Sequence, residues 1–120
     1  MAGHKIVHIE ISAKDRKALS KFYQDVFDWE IEHADEMNYT TFKAGDGVAG
    51  GFNPVTNEYP AGTVTIYIDT EDVTKSLQAV ERAGGKILVP ESDIPGIGKF
   101  GLFQDPQGNM IGLYKANRAM

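Results

Sequence analysis

One order of predicted elements occurs twice along this chain, and that repeat constrains the fold more than any other feature. Strands are predicted at residues 5–12 and 63–69, where apolar and polar residues alternate. Each strand is followed by a helix with one apolar stripe, in the segments DRKALSKFYQDVF and DTEDVTKSLQAVERAGG, and then by three short strands. Both halves therefore have the order strand, helix, strand, strand, strand, which indicates an internal duplication.

The repeat also sets the predicted boundaries. Residues 1–120 form a single domain, in which module one spans residues 5–53 and module two spans residues 63–115. Residues 54–62 form a linker that contains proline, asparagine and glycine. Residues 91–98, ESDIPGIG, are predicted to be a loop that is either a lid over the site or a passive connector.

Strand alternation assigns the side chains of each module to two faces. Ile9 and Ile11 are predicted to pack under the first helix and Val64 under the second, and each sheet has a second face that its own helix does not cover. Two such sheets could curl into an open, concave barrel, and concave sites with a few polar groups typically bind small molecules. The candidate ligand-binding residues on the second faces are His8, Glu10, Thr65, Tyr67, Met110, Gly112 and Tyr114.

Composition argues against several classes of function. The net charge is −5 and the 12 basic residues are scattered, whereas a nucleic-acid partner requires clustered Lys and Arg. No apolar run approaches the ~20 residues that a membrane-spanning helix needs. The first residues lack the features of a signal peptide, so a cytoplasmic location is the default expectation. The absence of cysteine excludes disulfides and thiolate ligands.

The whole pattern resembles the vicinal-oxygen-chelate superfamily, which includes glyoxalase I, bleomycin-resistance proteins and extradiol dioxygenases. The resemblance covers essentially the whole chain and rests on VHIEI, FYQDVFDWEI, IDTEDVTKSLQAVERAGGKI and FQDPQGNMIGLY. It implies an α+β fold in which two βαβββ modules form a cupped, open, barrel-like mixed sheet with helices on the outer face. It also implies a homodimer, and a divalent metal ion held by the first and last strands of each module.

The resemblance implies four metal-ligand positions and places three of them on single residues. His8 occupies the first-strand position of module one, Thr65 the matching position of module two, and Gly112 the last-strand position of module two. The last strand of module one, GVAGGFNP, offers no carboxylate or imidazole. Glu10 shares a face with His8, but residues i and i+2 of a strand lie about 7 Å apart, so the two are not expected to bind one ion. His8 is thus the only retained ligand, and no resident metal or other cofactor is expected, with a divalent ion as the alternative.

Two functions remain open at this point. The first is a metal-free, homodimeric module that binds a small, partly aromatic molecule and has neither a nucleic-acid nor a membrane partner. The second is an enzyme of the superfamily, a lyase, isomerase or dioxygenase, with an altered metal site or acid–base chemistry by His8 and Glu10. His8 could thus be a metal ligand, a hydrogen-bonding wall residue or a catalytic acid or base, and Tyr67 and Tyr114 could stack on a ligand or pack structurally.

Overall fold

A computed structural model describes residues 3–117 of the chain. These residues form two compact units. The N-terminal unit contains residues 7–65, and the C-terminal unit contains residues 3–6 together with residues 66–117. Each unit contains one α-helix that packs on one face of a sheet.

The N-terminal unit has the strand order β2-β3-β4-β1, in which β1 and β4 are parallel and the other neighbours are antiparallel. Its core is formed by Ala13, Phe42 and Phe52, against which Leu19 and Tyr23 of the helix pack. Ile9 and Ile11 contact the same core, as the alternation predicts. The elements are β1 (Ile6–Ala13), α1 (Arg16–Phe27), β2 (Glu30–Ala34), a 3₁₀ turn (Asp35–Met37), β3 (Tyr39–Lys43) and β4 (Gly50–Pro54).

The C-terminal unit repeats this arrangement. Its strand order is β5-β8-β7-β6, again with the first and last strands, β5 and β8, parallel. Val73 and Leu77 of the helix pack on Phe103 and Leu113 of the sheet. The elements are β5 (Val64–Asp69), α2 (Val73–Arg82), β6 (Lys86–Ile94), β7 (Gly98–Gln104) and β8 (Met110–Ala116).

Local chemistry explains where the two helices begin. The Asp15 carboxylate accepts hydrogen bonds from the backbone N–H groups of Lys17 and Ala18, at 3.1 and 3.0 Å, and so caps α1. Asp72 caps α2 in the same way through the N–H of Lys75, at 3.0 Å. Neither helix of the described residues is long and apolar enough to cross a membrane.

The predicted α+β class and the βαβββ order of each half are confirmed. Two details of the prediction are wrong. Residues 91–94 are not loop, because β6 continues to Ile94 and pairs with β7 at Asp93↔Lys99 and Ile94↔Gly98. The connection between these strands is therefore the short turn at 95–97. Val64 does not pack under a helix, because it is 60% exposed at the start of β5.

Candidate functional site

Three polar side chains of the N-terminal unit form a hydrogen-bonded series, which we call the His8 cluster. The phenol oxygen of Tyr39 lies 2.8 Å from Nε2 of His8 and donates to Oε2 of Glu10 at 2.9 Å. His8 Nε2 and Glu10 Oε2 are 3.8 Å apart. The sequence predicts His8 and Glu10 on one face of β1, and the structure joins them through Tyr39, which the predicted set of residues lacks.

Strand geometry positions these side chains. Along β1, Ile9 and Ile11 face the core, so His8 and Glu10 project from the opposite face of the sheet. Along β3, Phe42 faces the core, and the odd-numbered positions, including Tyr39, project with His8 and Glu10. The cluster therefore lies on the sheet face that α1 does not cover.

Gly51 allows Tyr39 to reach β1. This glycine lies in β4, where it pairs with Glu10 of β1 on one side and with Thr41 of β3 on the other. A Cβ at position 51 would lie 2.5 Å from Cε2 of Tyr39, well inside van der Waals contact. The phenol ring thus occupies the space that any larger residue would need, which is a common reason for glycine within a strand.

Partial burial sets the charge of His8. Its side chain is 29% exposed and that of Glu10 is 13% exposed. Burial lowers the pKa of His8 below the ordinary value of 6.5, because a desolvated imidazolium loses more hydration than a neutral imidazole. At neutral pH the His8 ring is therefore uncharged, and a neutral imidazole lies beside the phenol of Tyr39 and the carboxyl group of Glu10.

Two further buried polar atoms have no hydrogen-bond partner among residues 3–117. They are Oγ1 of Thr65, a predicted site residue that is 0% exposed, and Oδ1 of Asn53, which is 7% exposed. Buried polar groups are nearly always paired, so an unpaired one suggests a missing water or ligand atom. Asn53 follows Gly51 by two residues in β4. It is absent from the predicted site residues, because only carboxylates and imidazoles are expected as metal ligands in this strand.

The remaining predicted site residues lie in the C-terminal unit. Tyr67 of β5 pairs with Gly112 of β8, and its ring covers that glycine, since a Cβ at position 112 would lie 2.8 Å from Cγ of Tyr67. Tyr114 pairs with Asp69, and burial together with the charge of Asp69 raises the pKa of its phenol. Met110 lies at the first position of β8, opposite Gln104.

The donor atoms do not match a divalent metal site. Among residues 3–117, no group of three His, Cys, Asp or Glu side chains is placed to hold one ion, and catalytic zinc sites use three protein ligands. The expected separation of about 7 Å between His8 and Glu10 is wrong for the ends of their side chains, because His8 Nε2 and Glu10 Oε2 lie 3.8 Å apart. These two groups still provide only two such ligands, and the glycines at positions 51 and 112 provide none.

A cavity of about 400 Å³ lies elsewhere, in the C-terminal unit. None of its lining residues belongs to the predicted site, and the Lys99 ammonium already contacts the Glu91 carboxylate at 3.4 Å. We therefore place the candidate site at the His8 cluster. The cavity is lined by Glu71, Lys99, Lys115, Ala116 and Asn117.

Comparison with known proteins agrees with this architecture. A glyoxylase-like domain-containing protein of Didymella fabae is 30% identical over 116 residues, which cover 88% of this chain and 88% of that protein. CFP32 of Mycobacterium bovis, whose name assigns it provisionally to the glyoxylases, is 26% identical over 117 residues, which cover 92% of this chain. The match covers 45% of CFP32, so the chain spans about half the length of that relative.

The fold recurs in solved structures. The methylmalonyl-CoA epimerase of Mycobacterium tuberculosis superposes with a TM-score of 0.70 over 94% of this chain and 88% of the epimerase, at 11% identity. An identity this low shows a common fold and nothing about activity. The sequence profile of the Glyoxalase/Bleomycin resistance protein/Dioxygenase superfamily matches residues 5–113. The chain therefore belongs to the Glyoxalase/Bleomycin resistance protein/Dioxygenase superfamily.

Proposed function

We propose that this protein binds a small molecule at the His8 cluster and does so without the metal ion of the superfamily's enzymes. One observation supports this most directly: His8, Tyr39 and Glu10 form a hydrogen-bonded series on the sheet face that the helix leaves uncovered. Ligand sites commonly combine a few such oriented polar groups with apolar walls. The unpaired atoms of Asn53 and Thr65 are further contacts that a ligand or its bound water could satisfy.

The metal-free part of the proposal follows from the donor set. In each unit the first strand pairs with a glycine of the last strand, Gly51 or Gly112, and a tyrosine ring lies over that glycine. The positions that would carry ligands in the last strands thus have no side chain and are covered. His8 and Glu10 remain, and two donors already linked through a phenol are a poor substitute for three ligands and a water molecule.

Metal analysis tests this part. The full chain, purified without chelators, would be analysed for metal content and titrated with Zn²⁺, Ni²⁺, Mn²⁺ and Fe²⁺ by calorimetry. We expect no stoichiometric ion and no saturable heat. Stoichiometric binding that is lost in His8→Ala would contradict the metal-free site, because it would show that His8 is a ligand.

Ligand-induced stabilisation tests the binding part, since a ligand that binds only the native state raises the melting temperature by mass action. A panel of small aromatic and carbonyl compounds would be screened against the wild type, His8→Gln and the control His4→Gln. His4 is exposed and lies outside the cluster. We expect at least one compound to stabilise the wild type and the control but not His8→Gln. Equal stabilisation of all three would place the binding site elsewhere.

A second candidate is an enzyme that transfers protons, and the same series favours it. A neutral imidazole linked through a phenol to a carboxylate is an arrangement suited to general acid–base catalysis. Exchange of an acidic C–H with D₂O, followed by NMR on the stabilising compounds, would distinguish this enzyme from a binding module. Exchange that depends on His8 would favour the enzyme.

We also propose that the protein is a homodimer, which the superfamily resemblance implies. Size-exclusion chromatography with light scattering would test this directly, since the monomer mass is 13.2 kDa. A monomer at micromolar concentration would contradict the proposal. It would leave the His8 cluster unaffected, because all three residues of the cluster lie within the N-terminal unit.

A further inference from the structure

Two lysines from neighbouring strands line the cavity of the C-terminal unit. Lys99 lies near the start of β7 and Lys115 near the end of β8, and the two residues are directly opposite each other in the antiparallel pairing. Leu113 packs in the core under α2, so Lys115, two positions further along β8, projects from the same face of the sheet. Phe103 belongs to the same core and places Lys99 on this face in the same way. Two ammonium groups therefore lie side by side at the cavity.

Backbone hydrogen bonds hold the other walls of the cavity in place. The N–H of Thr70 donates to the carbonyl oxygen of Tyr114 at 3.0 Å, which places Glu71, the next residue, beside the end of β8. The N–H of Asn117 donates to the carbonyl oxygen of Ile97 at 2.8 Å and joins the segment after β8 to the turn before β7. The volume of about 400 Å³ lies within the range of small-molecule sites.

The two lysines differ in their partners. Nζ of Lys99 lies 3.4 Å from Oε2 of Glu91 and 3.9 Å from Oδ1 of Asp93. Lys115 is only partly exposed, and it makes no hydrogen bond or ion pair among residues 3–117. Like charges directly opposite each other destabilise a strand pair. An anion beside Lys115 would reduce that repulsion and accept hydrogen bonds from an ammonium group, which can only donate.

We propose that this cavity binds the carboxylate of a small organic monoanion, with the Lys115 ammonium as its main partner. The lining contains two ammonium groups and one carboxylate, and this balance favours a ligand with one negative charge over a ligand with two. The volume leaves room for an organic group beside the carboxylate, and Ala116 provides an apolar contact in the wall. None of these residues belongs to the His8 cluster, so the inference goes beyond the proposed function and does not depend on it.

NMR of the full-length, ¹⁵N-labelled protein tests the site, with sodium butyrate as the probe. In a titration at neutral pH and constant ionic strength, we expect saturable shifts in the backbone amides of residues 71, 99 and 115–117. Butylammonium chloride, which has a similar size and the opposite charge, should cause no such shifts. The absence of saturable butyrate shifts in these amides, or equal shifts with butylammonium, would overturn the proposal.

Three lysine variants identify the charge that is responsible. Lys115→Gln should weaken butyrate binding about tenfold or more, because a hydrogen bond to a charged group contributes at least that much to an equilibrium constant. Lys115→Arg keeps the positive charge and should retain most of the affinity. Lys86→Gln is the matched control, because Lys86 is exposed at the start of β6 and does not line the cavity. Unchanged affinity in Lys115→Gln, or an equal loss in Lys86→Gln, would overturn the proposal.

Two further titrations define the ligand class and separate this site from the His8 cluster. Methyl phosphate is mostly a dianion at neutral pH and should bind more weakly than butyrate. Tighter binding of methyl phosphate would overturn the assignment of a monocarboxylate. His8→Gln should bind butyrate as the wild type does, so failure of the proposed function would leave this inference intact. Loss of the butyrate shifts in folded His8→Gln would overturn it.

Discussion

The ring of Tyr67 lies on the backbone of Gly112, its partner in the parallel pairing of β5 with β8. Tyr67 is only 6% exposed, and a Cβ on Gly112 would lie 2.8 Å from its Cγ atom. The superfamily resemblance identifies Gly112 as a metal-ligand position without a ligand. The structure shows that the space over this glycine is filled by a phenol ring, so the glycine serves packing in this chain.

The first prediction is that Gly112→Ala destabilises the protein. The new methyl group would meet the inner part of the Tyr67 ring, which cannot move away as the end of a flexible chain could. Overpacking of this kind typically costs about 1–3 kcal/mol. Urea denaturation would measure the loss in the free energy of unfolding.

Two further variants define the cause of that loss. Gly3→Ala is the matched control, because no atom lies within 4 Å of a Cβ there, and it should change stability little. Tyr67→Leu combined with Gly112→Ala should cost less than the sum of the two single changes, since the residues are in contact. Strict additivity would show that the ring is not what opposes a side chain at position 112.

The internal duplication predicts the site geometry better than any single motif does. Matching the first strands of the two halves makes Glu10 equivalent to Tyr67. The structure pairs Glu10 with Gly51 as it pairs Tyr67 with Gly112, which makes the two glycines equivalent as well. Alternation of apolar side chains fixes which face each strand residue takes, because one face must be buried under a helix. Such patterns are local, and the sequence alone reveals them.

Tyr39 shows what the pattern could not reveal. It lies 29 residues from Glu10, and its hydroxyl reaches β1 only because the ring crosses β4 at Gly51. A 7 Å rise between alternate residues describes Cα positions, whereas long side chains can converge, as those of His8 and Glu10 do. The extent of β6 was not predicted for a related reason. Proline and glycine at positions 95 and 96 mark the turn, but pairing with β7 makes residues 91–94 a strand.

The second prediction is that Tyr39→Phe destabilises the protein through its lost hydroxyl. Glu10 is 13% exposed in its side chain and would lose the donation it receives at 2.9 Å. Loss of one intramolecular hydrogen bond typically costs about 0.5–1.5 kcal/mol. Tyr23→Phe is the matched control, because within residues 3–117 the Tyr23 hydroxyl makes no hydrogen bond. Removal of a hydroxyl that has no hydrogen-bond partner usually costs less than about 0.5 kcal/mol. Equal losses in the two variants would show that the hydroxyl of Tyr39 contributes nothing specific.

The third prediction concerns pH. Because burial lowers the pKa of His8 below its unfolded value of 6.5, the unfolded state binds the proton more readily than the folded state. Stability is then highest above that value and falls as pH decreases through it towards the folded pKa. The free energy of unfolding, measured from about pH 8 to about pH 5, should fall more steeply for the wild type than for His8→Gln. His4→Gln should follow the wild type, and identical curves for all three proteins would exclude burial of the His8 imidazole.

The last prediction concerns the turn between β7 and β8. Oδ1 of Asp105 accepts from the backbone N–H groups of Gln107 and Asn109, at 2.9 and 3.0 Å, and Oδ2 accepts from the Asn109 side chain at 3.0 Å. Hydrogen bonds from Asn109 hold the pKa of Asp105 below its ordinary value of 3.8, so its contribution is complete above that value and is lost as pH falls below it. Asp105→Asn should therefore reduce stability at neutral pH and flatten its acid dependence in urea denaturation. Asp46→Asn is the matched control, because the Asp46 carboxyl is exposed and makes no hydrogen bond among the described residues. This variant should change neither the stability at neutral pH nor its acid dependence. A wild-type acid profile in Asp105→Asn would show that the turn does not depend on the charge of Asp105.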